Sequence, residues 1–184
     1  MDDDEIYNHD ALSPTIRITR KWAMPNSRTF SIRPIKEFIE KYIKGAEVIV
    51  DPFANNSTYG TITNDLNPVF DTDYHLDALE FMKKLKTESA DVVLYDPPYS
   101  VNQASICYKN YGKEKLSVGV HNAKYWSLMK KEIARVLKKD GKCISFGWNS
   151  NGVGVSNGME ILEILLVPHG GIHYDTIVTL EKKI

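Results

Sequence analysis

The sequence has little of what usually announces a function outright. It holds only two cysteines, Cys107 and Cys143, in 184 residues. Two thiols so placed make neither a zinc spacing nor a disulfide framework, and they suit a reducing cytoplasm. The five histidines form no set with metal-ligand spacing, so no metal is expected. No apolar run approaches the roughly 18 residues of a membrane span, and no membrane partner is expected. The opening Met1-Asp2-Asp3-Asp4-Glu5 is acidic, opposite to a secretory leader, which again leads to a cytoplasmic expectation. Net charge is −1, so any contact with nucleic acid must come from local patches rather than a global field. A glycine-rich phosphate-binding loop is missing too. That argues against a dinucleotide or ATP and favours a cofactor without phosphate. Repeats and low-complexity segments are absent.

What is present reads as an ordinary globular chain, 42% hydrophobic and 26% charged, of a size for one domain. Residues 1–28 show no clear periodicity. Residues 1–21 are read as an N-terminal arm and 22–184 as a single catalytic domain, with Trp22, Met24 and Pro25 packing on its body. Pro34 marks a helix entry, and Ile35, Phe38, Ile39, Tyr42 and Ile43 recur on one helical face up to Gly45. A strand over 47–50 ends at Asp51, and a second, over about 61–64, ends at Asp65. A helix is predicted over 76–86 with Asp77 in its first turn, then a buried strand, Val92-Val93-Leu94-Tyr95, which ends at Asp96. Residues 100–121 have no period and read as a long substrate-facing loop. A helix is predicted over 122–139, with Trp126 on its core face and Asp140-Gly141 closing it. Strands follow at 143–146, 161–167 and 176–180, the last two joined through Gly170-Gly171 as a hairpin. This alternation predicts a mostly parallel α/β sheet with an antiparallel C-terminal strand pair and helices on both faces.

In such sheets ligands bind outside the carboxyl ends of the strands. Asp51, Asp65, Asp96 and Trp148 all fall at predicted carboxyl ends. Asp65 can accept hydrogen bonds from both hydroxyls of a ribose, or it can be a turn residue in Asn64-Asp65-Leu66-Asn67-Pro68. Asn55 and Asn56 stand where a close backbone approach needs left-handed residues, which asparagine tolerates. The most specific stretch is Asp96-Pro97-Pro98-Tyr99. An exocyclic base amine is a poor nucleophile because its lone pair is delocalised into the ring. A carboxylate and a proline carbonyl can take its two N–H bonds and favour a pyramidal nitrogen. Tyr99 can stack on a base turned out of its helix. Trp148 is read either as a border of that pocket or as packing.

Val50-Asp51-Pro52-Phe53-Ala54, Asn64-Asp65-Leu66-Asn67-Pro68, Asp77-Ala78-Leu79 and Asp96-Pro97-Pro98-Tyr99 resemble, in order, successive motifs of S-adenosylmethionine-dependent amino methyltransferases acting on DNA, above all the N6-adenine enzymes. Thr29-Phe30-Ser31-Ile32-Arg33-Pro34 is similar to the segment that closes over the methionine end of the cofactor in that family. The resemblance spans roughly residues 22–182, and the compact form is similar to small phage-encoded enzymes. It implies a Rossmann-like methyltransferase fold and S-adenosylmethionine as cofactor. Phe30, Ser31, Asp51, Phe53 and Ala54 are implied to line its methionine and adenosyl portions, Asp65 to hold its ribose, and Asp77 to approach its adenine amine. Asp96, with Pro97, Pro98 and Tyr99, is implied to hold the target amine and base beside the cofactor. The implied substrate is adenine in DNA, duplex in form, with restriction protection as the guess for its purpose. Two departures stand out. Asn55-Asn56-Ser57 replace the motif's glycines, and only 13 residues separate Asp51 from Asp65, too few for a full helix. No stretch is long enough for a separate target-recognition domain. The candidate DNA-facing residues are therefore Lys109 and Lys113 of the 100–121 loop, and specificity is expected to be low or to come from a second subunit, a homodimer included. N4-cytosine or RNA adenine methylation, and a catalytically silent cofactor-binding subunit, remain alternatives.

Overall fold

A computed structural model describes residues 15–26, 28–99, 123–171 and 173–184. In chain order the elements are β1 (Arg17–Arg20), α1 (Arg33–Ile43), β2 (Ile49–Asp51), β3 (Ile62–Thr63), α2 (Ala78–Lys84), β4 (Ala90–Tyr95), α3 (Ala123–Val136), β5 (Leu137–Gly147), β6 (Met159–Val167) and β7 (Thr176–Lys183). Short 3-10 turns lie at Thr29–Ser31 and Val155–Asn157. The strands form one sheet in the order β1-β6-β7-β5-β4-β2-β3. All neighbours pair parallel except those of β7, which runs antiparallel to both β5 and β6.

The period of two along the central strands sorts their side chains into two layers. Val50, Val93, Tyr95 and Cys143 face α2 and α3. Ile49, Val92, Leu94, Ile144 and Phe146 face the opposite way, where Ile35, Phe38 and Ile39 of α1 meet them. Helices thus cover both faces, as the alternating pattern predicts. The 152–154 turn packs against the sheet at β7. It is pinned by Glu181, a fully buried carboxylate that accepts hydrogen bonds from the amides of Val153 (2.7 Å) and Gly154 (2.8 Å). Gly152, at φ 49°, passes so close that any side chain there would collide with that carboxylate.

Several sequence expectations are revised. The aperiodic stretch before residue 22 supplies β1, which pairs parallel with β6 from Arg17↔Glu163 to Arg20↔Leu166. The helix expected to reach Lys139 ends at Val136. Its last carbonyls are taken by amides from the turn before β4, Glu88 N–H to Arg135 O (3.0 Å) and Ser89 N–H to Val136 O (2.8 Å), and Leu137 already pairs with Ala90. Asp140, at φ 61°, and Gly141 therefore form a kink inside β5 rather than a helix stop. The second strand shrinks to Ile62–Thr63, because Thr63 turns at once to bond Asp73. Trp126, expected in the core, is only half-buried, edge-on to Tyr125.

The topology locates the site. From β2 the chain steps outward to β3, then returns across β2 to reach β4 and continues outward to β5 on that side. The direction reverses between β2 and β4, so a crevice opens between the carboxyl ends of those two strands. Asp51 ends β2 and Asp96 follows β4.

Candidate active site

At that reversal lies a cavity of about 620 Å³, within the roughly 300–1,000 Å³ common for small-molecule sites. Four segments wall it: the Thr29–Ser31 turn, the loop after β2, the stretch around Asp65, and Asp96-Pro97-Pro98-Tyr99. Phe30, Ser31, Phe53, Ala54 and Asp65, named from the sequence, line it. Asp51 stands fully buried just behind the wall.

The loop after β2 is short, yet it is held firmly. Asn64, nearly fully buried, is its central brace. Its side-chain amide donates to Pro52 O (3.1 Å) and Leu76 O (3.1 Å), and its carbonyl accepts from Leu76 N–H (2.9 Å). Asp65 accepts from the amides of Asn55 (2.9 Å) and Asn67 (2.8 Å). Asn55 sits at φ 50°, the left-handed conformation that glycine more often supplies. Asparagine here takes a conformation that the expected glycines would have supplied. In the sequence Asn64 reads only as one turn former among several.

The two acids at the crevice differ in their surroundings. Asp51 Oδ1 accepts from the Phe53 amide (3.2 Å), but its buried Oδ2 has no hydrogen-bond partner. Burial pushes this carboxyl up to about 8, with the Asp96 and Asp65 charges adding to the rise and the Phe53 amide and Ser57 hydroxyl opposing it. Asp96 Oδ1 accepts from the Tyr99 hydroxyl (2.7 Å). Burial lifts Asp96 to about 6, held down by bonds from the Tyr99 and Thr29 hydroxyls. Asp65 is raised as well, chiefly by burial. A cavity edged by two acids, with a third buried behind its wall, suits a ligand bearing positive charge, which would favour their ionised forms. Arg28 and Lys36, neither singled out from the sequence, add cationic groups to the lining at the α1 side.

Not every expected residue reaches the cavity. Asp77 is the N-cap of α2: Oδ1 accepts from the Leu79 (3.0 Å) and Glu80 (3.1 Å) amides, and Oδ2 from the Tyr125 hydroxyl (2.9 Å). Its capping geometry keeps it out of the lining, where its neighbour Ala78 stands instead. Trp148 does not line the cavity either. It lies beside Tyr99, ring centres 5.8 Å apart and edge to face. Lys109 and Lys113 lie outside the described residues. Among the described residues no group of three or more His, Cys, Asp or Glu side chains is placed to hold a metal, and no helix is long and apolar enough to cross a membrane.

No family model and no curated protein matches this sequence. Solved structures do match. A Burkholderia thailandensis 1,6-didemethyltoxoflavin-N1-methyltransferase, with its substrate and S-adenosylhomocysteine bound, superposes with a TM-score of 0.56 at 11% identity, over 82% of this chain and 77% of that one. A SAM-dependent methyltransferase from Methanosarcina mazei gives 0.55 at 11% identity over 80% and 97%. TrmN from Thermus thermophilus gives 0.51 at 12% identity over 83% of this chain, which spans only 49% of TrmN. At such identities the likeness is one of fold, and it agrees with the strand order and flanking helices: the chain has the Rossmann-like fold of S-adenosylmethionine-dependent methyltransferases.

Proposed function

We propose that the protein transfers a methyl group from S-adenosylmethionine to the N6 amine of adenine in DNA. The observation that carries this reading is that Asp96-Pro97-Pro98-Tyr99 lines the same cavity as Phe30, Phe53 and Asp65. A stretch suited to gripping an amine thus faces a pocket suited to a nucleoside.

The fit of the cofactor rests on charge and on an unmatched atom. S-adenosylmethionine brings a methyl group on a positively charged sulfur and, when bound, supplies the electrophile. The fully buried Asp51, just behind the cavity wall, leaves its Oδ2 without a hydrogen-bond partner, and a cationic group bound in the cavity would favour its ionised form. In this reading Asp65, Phe30 and Phe53, which line the same cavity, hold the nucleoside portion.

This chain's own contribution to the reaction is orientation and hydrogen bonding. Asp96 accepts one N–H of the target amine, and the Pro97 carbonyl accepts the other. The nitrogen lone pair is thereby freed from the ring to form the new N–C bond. Bound S-adenosylmethionine would supply the methyl group and keep the C–S electron pair on its sulfur, and the nitrogen sheds one proton. Asp96, lifted to about 6, is basic enough to take that proton and acidic enough to pass it to water. Tyr99 orients the Asp96 carboxylate through its hydroxyl and offers its ring to the base.

The test is methyl transfer by the purified protein from labelled S-adenosylmethionine to DNA and, separately, RNA, with the product nucleosides identified by mass. N6-methyl-2′-deoxyadenosine from DNA is the expected product. N4-methylcytosine, product in RNA alone, or no transfer despite cofactor binding would overturn the assignment in favour of a different target or a silent subunit.

A further inference from the structure

Outside the cavity, a row of aromatic rings continues from Tyr99 along the same edge of the sheet. Trp148 follows β5, and Tyr174 belongs to the turn that joins β6 to β7. Trp148 meets Tyr99 edge to face at 5.8 Å, and Tyr174 lies over Trp148 with ring centres 4.6 Å apart and planes tilted by 33°. The rings become more open outward: Trp148 is 38% exposed and Tyr174 72%. Isolated exposed aromatics are ordinary on protein surfaces, but a stacked row that leads out of a cavity is not.

The outer ring sits on a turn that is tied down. His169 is buried beneath it, with Nδ1 2.7 Å from Ala23 O, Nε2 2.9 Å from Thr176 Oγ1, and its amide donating to Asp175. The His173 amide donates to Gly170 O, and Gly170 and Gly171 hold the left-handed conformations that the reversal needs. The bond to Ala23 fastens the turn to the segment leaving β1. Because β1 runs parallel to β6, that segment emerges at the same edge. It brings exposed Trp22 and the exposed cations Arg20, Lys21 and Arg28.

Aromatic faces interleaved with cations on a fixed surface are what an unpaired nucleic-acid strand stacks and threads upon, since every base has a π-face and every link a phosphate. We propose that Trp148 and Tyr174 form a stacking platform for the base adjoining the target nucleotide, with the phosphates running toward the Arg20–Lys21 side. This deepens, and rests on, the reading of the cavity as a base-methylating site. It also gives the hairpin turn a substrate-holding role that sequence patterning does not display.

The experiment compares wild type, Tyr174→Ala and Tyr174→Phe for binding of a labelled single-stranded oligonucleotide containing adenine, by fluorescence anisotropy with S-adenosylhomocysteine present. Methyl transfer by wild type is measured alongside. Tyr174→Ala is expected to weaken strand binding about 5- to 100-fold, the loss of one stacked base, with cofactor affinity unchanged and Tyr174→Phe close to wild type. Removing the base next to the target should weaken wild type by a similar factor and add nothing in Tyr174→Ala. Equal binding by all three proteins, or losses that simply add, overturns the platform. The two readings fail separately. DNA methylation with strand binding indifferent to Tyr174 keeps the reaction and removes the platform. Tyr174-dependent binding without transfer to any nucleic acid keeps the platform and removes the reaction.

Discussion

The carboxyl ends of β2 and β4 are neighbours in the sheet and share one cavity, yet they are built on different plans. After β2 the order is made by side chains tied to backbone groups. Asn64 braces two loops, Asp65 accepts two amides, and Asn55 takes a left-handed turn. Asp51 is sealed behind that framework with one oxygen unmatched. After β4 the order is made by side chains tied to one another: Asp96 is gripped by the hydroxyls of Tyr99 and Thr29 and faces the cavity. A cradle tied to the backbone suits a ligand that must be met in one fixed pose. A carboxylate held by hydroxyls can exchange those partners for an incoming amine, at the modest net cost of about 1 kcal/mol for a replaced hydrogen bond. Burial raises both acids, but to different levels and with different means of relief.

That contrast can be broken most forcefully at Asp96. Asp96→Ala should lower the methyl-transfer rate by roughly 100- to 1,000-fold, the usual cost of deleting one reaction-stage hydrogen-bonding group, with cofactor affinity nearly unchanged. Steady-state kinetics beside calorimetric binding reads both quantities, and a variant as active as wild type would place the chemistry elsewhere.

A second effect, of moderate size, belongs to Asp51 and to stability. Its carboxyl titrates near 3.8 in an open chain and at about 8 in the fold, so the folded protein keeps a proton that the unfolded chain has lost. The stability this confers is complete below the lower value and drains away as pH rises to the upper one. Ligand-free wild type should therefore lose thermal stability between pH 4 and 8 more steeply than Asp51→Asn. Scanning calorimetry across that range checks it, and parallel curves would mean that Asp51 is not the buried group described here.

The smallest effect sharpens the β4 side. The Tyr99 hydroxyl helps to hold Asp96 down, so Tyr99→Phe should raise the Asp96 pKa. If transfer needs the ionised carboxylate, activity falls as pH drops through about 6 in wild type, and the variant's acid limb should lie at higher pH. A pH–rate profile with an unmoved limb would sever Tyr99 from Asp96 in function.

Much of the fold is legible along the chain because its signals are local. Pro34 does stand in the first turn of α1, the apolar run at 92–95 is a buried central strand, and the last two strands pair antiparallel. Asn55 takes the left-handed turn that its residue type allows. The illegible parts lack a local signal. β1 is four residues long with exposed Arg17 and Arg20, and it is a strand only because β6 offers it an edge. α3 stops at Val136 because a distant turn caps it and β4 captures Leu137. Asp77 looks the same in sequence whether it caps a helix or meets a ligand. In the fold it caps α2, whose first amides need an acceptor.

By itself, the sequence determined the alternation of strands and helices, the acids at strand ends, and the one stretch whose chemistry suits a base amine. These follow from side-chain period, from proline's missing N–H, and from which atoms can accept a hydrogen bond. Only the tertiary structure decided which of those acids share a cavity, which one is left with an unmatched oxygen, and that Trp148 and Tyr174 continue outward from Tyr99. Those outcomes depend on strand order and on turns far apart in the chain. Tyr99 and Trp148, far apart in the chain, become ring neighbours only because the sheet brings the ends of β4 and β5 to one edge.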